Sequence, residues 1–283
     1  MIDRKALLRE AAAAVELRDQ TGFDLFAPAD PYLAAQKLGV KVIFVDISME
    51  GFYFKEPKPR ILLSSLRPLA RRAFTCAHEL GHHHFGHGST MDELKADDRA
   101  ESNKPEEILA NGVASFFLMP TVGIRGAFAR RNWPLAKITP RQLYTVACEF
   151  GVGYDTLLSH MSHTLKDIAG TQRTELDRWT PQRIRQQLVK NDFDSFVIID
   201  PPSQAPTCDV EIGAAIMLPL DADVEGSALQ HLGTQTTFDL YKAAKRGEAV
   251  VSWGKSQCRV RVQPQKYVGP AIVRFEEDPD EDD

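Results

Sequence analysis

Five of the eight histidines in this 283-residue chain lie between His78 and His87, in the stretch RRAFTCAHELGHHHFGHG. His78 and His82 bracket Glu79 in an H-E-x-x-H pattern. Four residues make about one helical turn, so on a helix both imidazoles face the same side and can bind one Zn²⁺. Glu79, offset around the helix, can contact a water at the metal and take its proton. The pattern predicts a hydrolytic zinc site, with a histidine-rich surface helix as the alternative.

A catalytic zinc site needs a third protein ligand while one position stays open. In one class of zinc peptidases this ligand is a histidine six residues after the second histidine, but that position is Gly88 here. The glycine that the same pattern requires three residues after His82 is Phe85. The chain therefore does not belong to that class. The other histidines of the cluster are predicted to face solvent or to cap the helix; they are His83, His84 and His87.

A glutamate on a following helix is the remaining source of a third ligand. The stretch PEEILAN offers Glu106 and Glu107. Asn111 follows Glu107 by one helical turn, where it is well placed to orient a ligand. The spacing of apolar residues along this helix does not separate the two glutamates, so both stay open at this point.

The elements around these residues can be predicted from propensity and periodicity. Residues 4–19 favour a helix, and a second helix is expected to start at PADPYLAAQKLGV, with Asp30 as its N-cap. Three short strands follow at 40–46, 51–55 and 60–65, which suggests a small antiparallel sheet. The histidine cluster lies on the next helix, and a further helix runs from about Pro105 to Met119. The polar stretch between them, 88–105, is predicted to be a mobile loop.

The predicted organisation is an α+β fold divided into several parts. Residues 1–138 would form the metal-binding domain, 139–190 a helix-turn-helix-like segment and a linker helix, 191–275 a separate C-terminal α+β domain, and 276–283 a disordered acidic tail. The C-terminal domain is predicted from strand-like runs and one helix; these are FVIID, IGAAIMLP, EAVVSW, CRVRVQ and AIVRF, with the helix at TTFDLYKAAKRG. Its role stays open between regulation, dimerisation and substrate docking.

Composition places few limits on function. The net charge of −5 depends largely on the tail EEDPDEDD, so the rest of the chain is close to neutral. The four cysteines are scattered without a C-x-x-C pair and are expected to be reduced thiols. The N-terminal residues do not resemble a signal peptide, and no apolar run approaches the ~18 residues of a membrane span. We therefore expect a cytoplasmic protein that does not associate with a membrane.

The metal-binding pattern resembles the ImmA/IrrE family of zinc metallopeptidases, which are gluzincin-like. The resemblance rests on RRAFTCAHELGHHHFGH, then a polar gap, then EEILANGVASFFLMP, and covers about residues 20–165. The matching positions are Arg71 or Arg72, Phe74, Thr75, Ala77, His78, Glu79, Gly81, His82, Glu107, Asn111, Leu118, Met119 and Pro120. The family register selects Glu107 over Glu106. Leu109 stands where many members have an acid.

The resemblance implies a zincin-like fold and a cytoplasmic, site-specific endopeptidase. By that analogy His78, His82 and Glu107 bind Zn²⁺, Glu79 is the general base, and Asn111 supports the ligands. The implied substrate is a helix-turn-helix repressor encoded nearby or an antitoxin-like partner, whose cleavage relieves repression in stress-response or mobile-element circuits. A donor for the oxyanion is also expected, and the unranked candidates are Tyr144, Tyr154, His160 and His163.

Two other functions compete with proteolysis. The segment 139–165 has the form of a DNA-binding helix-turn-helix, and residues 121–190 are locally basic; the basic residues are Arg125, Arg130, Arg131, Lys137, Arg141, Arg173, Arg183 and Arg185. Yet its second helix, GYDTLLSHMSH, offers few side chains that read base edges, so direct DNA binding is not expected. The other alternative is a non-catalytic protease fold that binds a partner. The oligomeric state cannot be predicted.

Overall fold

The structure is a computed structural model that describes residues 4–88, 90–92, 104–189 and 193–276. Most of the predicted mobile loop at 88–105 lies outside these residues, as does the predicted acidic tail beyond Glu276. The four cysteines are free, and Cys76, Cys208 and Cys258 are buried.

The described residues form a mixture of helices and short strands, so the predicted α+β class is confirmed at that level. The α-helices are α1 (Arg4–Thr21), α2 (Pro31–Lys37), α3 (Leu69–His84), α4 (Pro105–Leu118), α5 (Thr121–Arg130), α6 (Pro140–Glu149), α7 (Tyr154–Ser159), α8 (Gly170–Leu176) and α9 (Pro181–Leu188). The strands are β1 (Lys41–Val45), β2 (Gly51–Phe54), β3 (Arg60–Ser64), β4 (Thr90–Asp92), β5 (Phe196–Ile198), β6 (Thr207–Glu211), β7 (Ala215–Leu218), β8 (Asp223–Glu225), β9 (Leu229–Thr234), β10 (Asp239–Ala243), β11 (Gly247–Trp253), β12 (Ser256–Gln263) and β13 (Gly269–Pro270).

Contacts divide the chain into two compact units. The first unit combines Met1–Gly123 with Lys266–Arg274, and the second combines Ile124–Gln265 with Phe275–Asp283. This division falls at Gly123, whereas the sequence places boundaries at 138 and 190. Those boundaries stay predictions.

The first unit contains a five-stranded sheet in the order β13-β1-β3-β2-β4. The three short strands predicted from the sequence are present, but the expectation of an antiparallel sheet is wrong in one pair, because β1 and β3 run parallel. Strand β3 inserts between β1 and β2 and is antiparallel only to β2. Alternate residues of these strands, Phe44, Tyr53, Ile61 and Leu63, are buried, and α3 packs against β2 and β3.

Local chemistry explains where the helices of this unit start and how they pack. The side chain of Asp30 accepts hydrogen bonds from the backbone N–H groups of Tyr32 and Leu33, so it caps α2 as predicted. Helix α4 packs against both α1 and α3. On the α1 side, buried Arg18 donates a hydrogen bond of 2.8 Å from Nε to the carbonyl oxygen of Phe117. Burial lowers the pKa of Arg18 to about 10.

The second unit contains two four-stranded sheets, ordered β5-β7-β10-β9 and β6-β12-β11-β8. The predicted helix TTFDLYKAAKRG is wrong, because Asp239–Ala243 forms β10 between β7 and β9. Alanine and lysine gave this stretch helical propensity, and strand pairing on both sides overrides it. The residues described between 193 and 265 contain strands and no α-helix.

The segment predicted as helix-turn-helix-like contains α6 and α7, joined by residues 150–153. Thr139 caps α6 in a capping box with Gln142, and Gly151 adopts φ +63° in the turn. Helix α7 continues into a π-helix, His160–Thr164. The expectation that this pair of helices does not read DNA directly stays a prediction.

The C-terminal segment Lys266–Arg274 packs into the first unit. Strand β13 pairs antiparallel with β1, with Pro270 opposite Ile43. The predicted strand AIVRF is instead a 3₁₀ turn, Ala271–Val273. The C-cap of this turn, Arg274, is 1% exposed and places its guanidinium 4.7 Å from the centre of the Tyr32 ring. This segment therefore completes both the sheet and the packing around α2.

One apolar segment corrects an expectation from the sequence. Among the described residues, Pro105–Arg130, which contains α4 and α5, is long and apolar enough to cross a membrane, with a mean hydropathy of 1.4. In the structure 61% of its apolar window is buried. That burial is typical of a core helix.

We predict that a chain ending at Gln265 unfolds at a temperature at least roughly 5 °C lower than the full chain, since it loses β13 and the buried Arg274. A chain ending at Glu276 keeps both features and serves as the control. Thermal unfolding followed by circular dichroism measures the difference. Equal midpoints for all three chains would contradict the role given to this segment.

Candidate metal centre

Helix α3 brings His78 and His82 onto one face, as the H-E-x-x-H spacing predicts. The two imidazoles are 4% and 0% exposed, and their Nε2 atoms lie 3.0 Å apart. Both rings therefore direct the same ring nitrogen toward one point inside the fold.

Glu107, in the first turn of α4, approaches the same point. Its Oε2 lies 3.2 Å from Nε2 of His78, and its Oε1 lies 3.4 Å from Nε2 of His82. The donor atoms of the three residues all lie within 4.8 Å of one another, and this is the one such group found among the described residues. Glu106, which the sequence alone could not separate from Glu107, is exposed and lies outside the group.

The two helices can bring these groups together because they approach closely at Gly81. A Cβ added to Gly81 would lie 3.0 Å from Cα of Ala110 and 3.3 Å from its carbonyl oxygen. Gly81 lies between the two histidines on α3, and Ala110 follows Glu107 by three residues on α4. The absence of a side chain at Gly81 thus sets the helix separation at the level of the site.

The outer ring nitrogens show how the histidines are protonated. Nδ1 of His78 lies 3.1 Å from Oδ1 of Asn111. An amide oxygen only accepts hydrogen bonds, so Nδ1 of His78 carries a hydrogen. With a metal bound, Nε2 of the neutral ring would present its lone pair to that metal. On His82 the corresponding Nδ1 lies 2.9 Å from Nδ1 of His87.

The Nε2 atoms of His78 and His82 and the carboxylate of Glu107 thus converge on one point. Because their lone pairs repel one another, a positive charge between them is needed. That charge is supplied by protons on the imidazoles or by one cation. Hydrogen bonds from His78 and then His82 hold the pKa of Glu107 well below its usual range, although burial opposes this. Glu107 is therefore an anionic carboxylate at neutral pH. Two imidazoles and one carboxylate form a ligand set that suits Zn²⁺.

Glu79 is completely buried on the same helix. Its Oε1 lies 3.2 Å from the position that a Cβ on Gly51 would occupy, at the start of β2. The carboxylate thus lies between α3 and the sheet, offset from the two histidines as the spacing predicts. Glycine at position 51 leaves the room that this carboxylate and Thr75 fill.

The remaining histidines of the cluster have separate contacts. His83 lies with its Nδ1 2.8 Å from the hydroxyl oxygen of Tyr53, and burial lowers the pKa of His83. Nε2 of His84 lies 3.4 Å from Oε2 of Glu16. These two histidines lie outside the group of His78, His82 and Glu107. Both are partly buried, whereas the sequence predicts that they face solvent or cap the helix. His87 is also outside that group, but its contact with His82 was not anticipated.

Two oxyanion candidates from the sequence are engaged elsewhere. Tyr144 donates its hydroxyl hydrogen to the carbonyl oxygen of Phe196, and Tyr154 donates to that of Leu176 at 3.0 Å. Burial raises the pKa of Tyr144 and Tyr154 above the ordinary value. Their hydroxyl groups therefore stabilise the fold of the second unit.

Several arginines of the locally basic stretch are paired with acids. The distances from guanidinium nitrogen to carboxylate oxygen are 2.8 Å for Arg125 and Asp167, 2.7 Å for Arg130 and Glu149, 2.7 Å for Arg131 and Glu149, 2.5 Å for Arg131 and Asp200, and 3.1 Å for Arg173 and Asp177. Their charges are thus partly neutralised within the protein. This reduces the basic surface that phosphate binding would need.

Comparison with known families gives one match. The family model described as Peptidase_M78, IrrE N-terminal-like domain, matches residues 35–162. That range includes α3, α4 and every residue of the site described above. No curated protein matches this chain significantly.

We predict that Gly81→Val lowers the unfolding midpoint by roughly 5 °C, because its side chain would collide with the backbone of Ala110. Valine has a higher helix propensity than glycine, so a loss of stability would come from packing. Gly88→Val is the matched control, since no atom of the described residues lies within 4 Å of a Cβ there. Equal midpoints for the two variants, measured by thermal unfolding, would contradict the close approach.

Proposed function

Residues 35–162 belong to the IrrE N-terminal-like peptidase family, and we propose that the protein is a zinc-dependent, site-specific endopeptidase. The observation that carries the proposal is the convergence of His78, His82 and Glu107 within 4.8 Å. His78, His82 and Glu107 would hold the metal. Bound zinc would supply Lewis acidity, which lowers the pKa of a water molecule to about 7.

Glu79 is the proposed general base. Its carboxylate would accept a proton from the water that attacks the peptide carbonyl, and would then deliver that proton to the leaving amine nitrogen. Burial between α3 and β2 supports this role, since it holds the carboxylate in place and keeps bulk water from competing for the proton. Asn111 would keep His78 in the tautomer that presents its Nε2 lone pair.

The proposed substrate is a helix-turn-helix repressor in the cytoplasm, whose cleavage would relieve repression in a stress response or a mobile element. This rests on the family resemblance. The alternative, a DNA-binding or partner-binding regulator with a non-catalytic protease fold, is less well supported. The ligand group and Glu79 are all present, and the arginines discussed above are paired with acids.

The test is co-expression with a candidate helix-turn-helix repressor, chosen from the genes that neighbour the one for this protein. The wild-type protein is expected to cleave it, and a chelator should stop the reaction. Glu79→Gln should keep zinc at the wild-type ratio and lower the cleavage rate at least about 10²-fold, because only the base is lost. Cleavage by Glu79→Gln at the wild-type rate, or biological activity without cleavage, would contradict the proposal.

Two neighbouring glutamates supply a matched control for the metal site. Glu107→Gln should lose most of the bound zinc, since a neutral amide replaces the anionic ligand. Glu106→Gln removes the same charge one residue away and should keep the bound zinc. Full zinc retention by Glu107→Gln, measured by atomic absorption, would exclude Glu107 as the third ligand.

A further inference from the structure

Helix α3 ends in a specific turn immediately beyond the second histidine. Phe85 is its C-cap, and Gly86 follows in the left-handed conformation at φ +65°. The backbone N–H of Gly86 donates to the carbonyl oxygen of His83 at 3.1 Å, and that of His87 donates to the carbonyl oxygen of His82 at 3.0 Å. These two hydrogen bonds define a Schellman motif.

The motif fixes which side chains meet at the helix end. It brings the residue after the glycine against the residue five positions earlier, usually in a hydrophobic contact. Here those positions are His87 and His82. Their ring centres lie 5.0 Å apart with an interplanar angle of 63°, and their Nδ1 atoms lie 2.9 Å apart.

At 2.9 Å, one of these two nitrogen atoms donates a hydrogen and the other accepts it. Nε2 of His82 faces Nε2 of His78 and the carboxylate of Glu107. A neutral His82 that presents a lone pair there must carry its hydrogen on Nδ1. His82 then donates, and Nδ1 of His87 accepts with its own hydrogen on Nε2.

We propose that His87 is a positioning residue that holds the His82 imidazole in the metal-binding tautomer and orientation. This inference rests on the proposed function. It gives His82 the kind of support that Asn111 gives His78, so each histidine of the pattern has its own acceptor. Partners of this kind orient ligands and raise their basicity.

His87 is itself held by neighbouring side chains. Its ring stacks on Phe85, with centres 5.6 Å apart and an interplanar angle of 27°. The guanidinium of Arg9, from α1, lies 4.9 Å from the centre of the Phe85 ring. Stacking of this kind limits rotation of the His87 ring and keeps Nδ1 directed at His82.

The test is the zinc affinity of His87 variants, measured by competition with a chromogenic chelator. His87→Phe keeps an aromatic ring in the motif but removes the acceptor, and it should weaken zinc binding about 10- to 100-fold. His87→Asn places an amide oxygen near the position of Nδ1 and should restore affinity to within about threefold of wild type. His84→Ala, which removes a neighbouring histidine outside the site, should bind as wild type does.

A second readout separates positioning from packing. Long-range ¹H–¹⁵N spectra of the zinc-loaded wild-type protein should show His82 protonated at Nδ1. Wild-type affinity in His87→Phe, or equal losses in His87→Phe and His87→Asn, would overturn the inference while leaving the proposed function intact. Failure of the wild-type protein to bind zinc would overturn both. Thermal unfolding of the metal-free variants checks that each one folds.

Discussion

The site depends on how closely α3 and α4 approach each other. The H-E-x-x-H pattern supplies two imidazoles from one helix, and the third group must come from another. Gly81 permits the approach on one side of α4, where a Cβ would lie 3.0 Å from Cα of Ala110. On another side, a Cβ on Gly112 would lie 2.1 Å from the carboxyl carbon of Glu10, so α1 also packs tightly on α4. Gly81 and Gly112 thus let α4 lie close to both α3 and α1. In this position Glu107 reaches the imidazoles of His78 and His82.

Orientation of the imidazoles is a separate requirement, and the backbone meets it in two ways. Asn111 lies one turn after Glu107 on α4, so the helix that brings the carboxylate also brings the acceptor for His78. The acceptor for His82 is set by the end of α3, where Gly86 reverses the chain and returns His87 to the helix. Helix geometry thus accounts for both the spacing and the orientation of the two imidazoles.

The sequence predicts individual helices and strands better than it predicts which strands pair. Periodicity and capping identified α2, α3 and α4, because these signals are local. The sequence does not predict the parallel pairing of β1 with β3, since short strand-like runs between turns identify strands but not their partners. Spacing placed His78 and His82 together, but Glu106 and Glu107 share one helical turn, and only the packing of α4 separates them. His87 was interpreted as a surface or capping residue, although the glycine before it is a signal for the turn that brings it to His82.

Zinc K-edge X-ray absorption of the protein loaded with one equivalent of zinc tests directly whether His78, His82 and Glu107 bind the metal. We expect two imidazole ligands at about 2.0–2.1 Å together with oxygen ligands. His87 contacts His82 and does not join the ligand group, so a third imidazole is not expected. A third imidazole, or sulfur at about 2.3 Å, would contradict a site built from His78, His82 and Glu107.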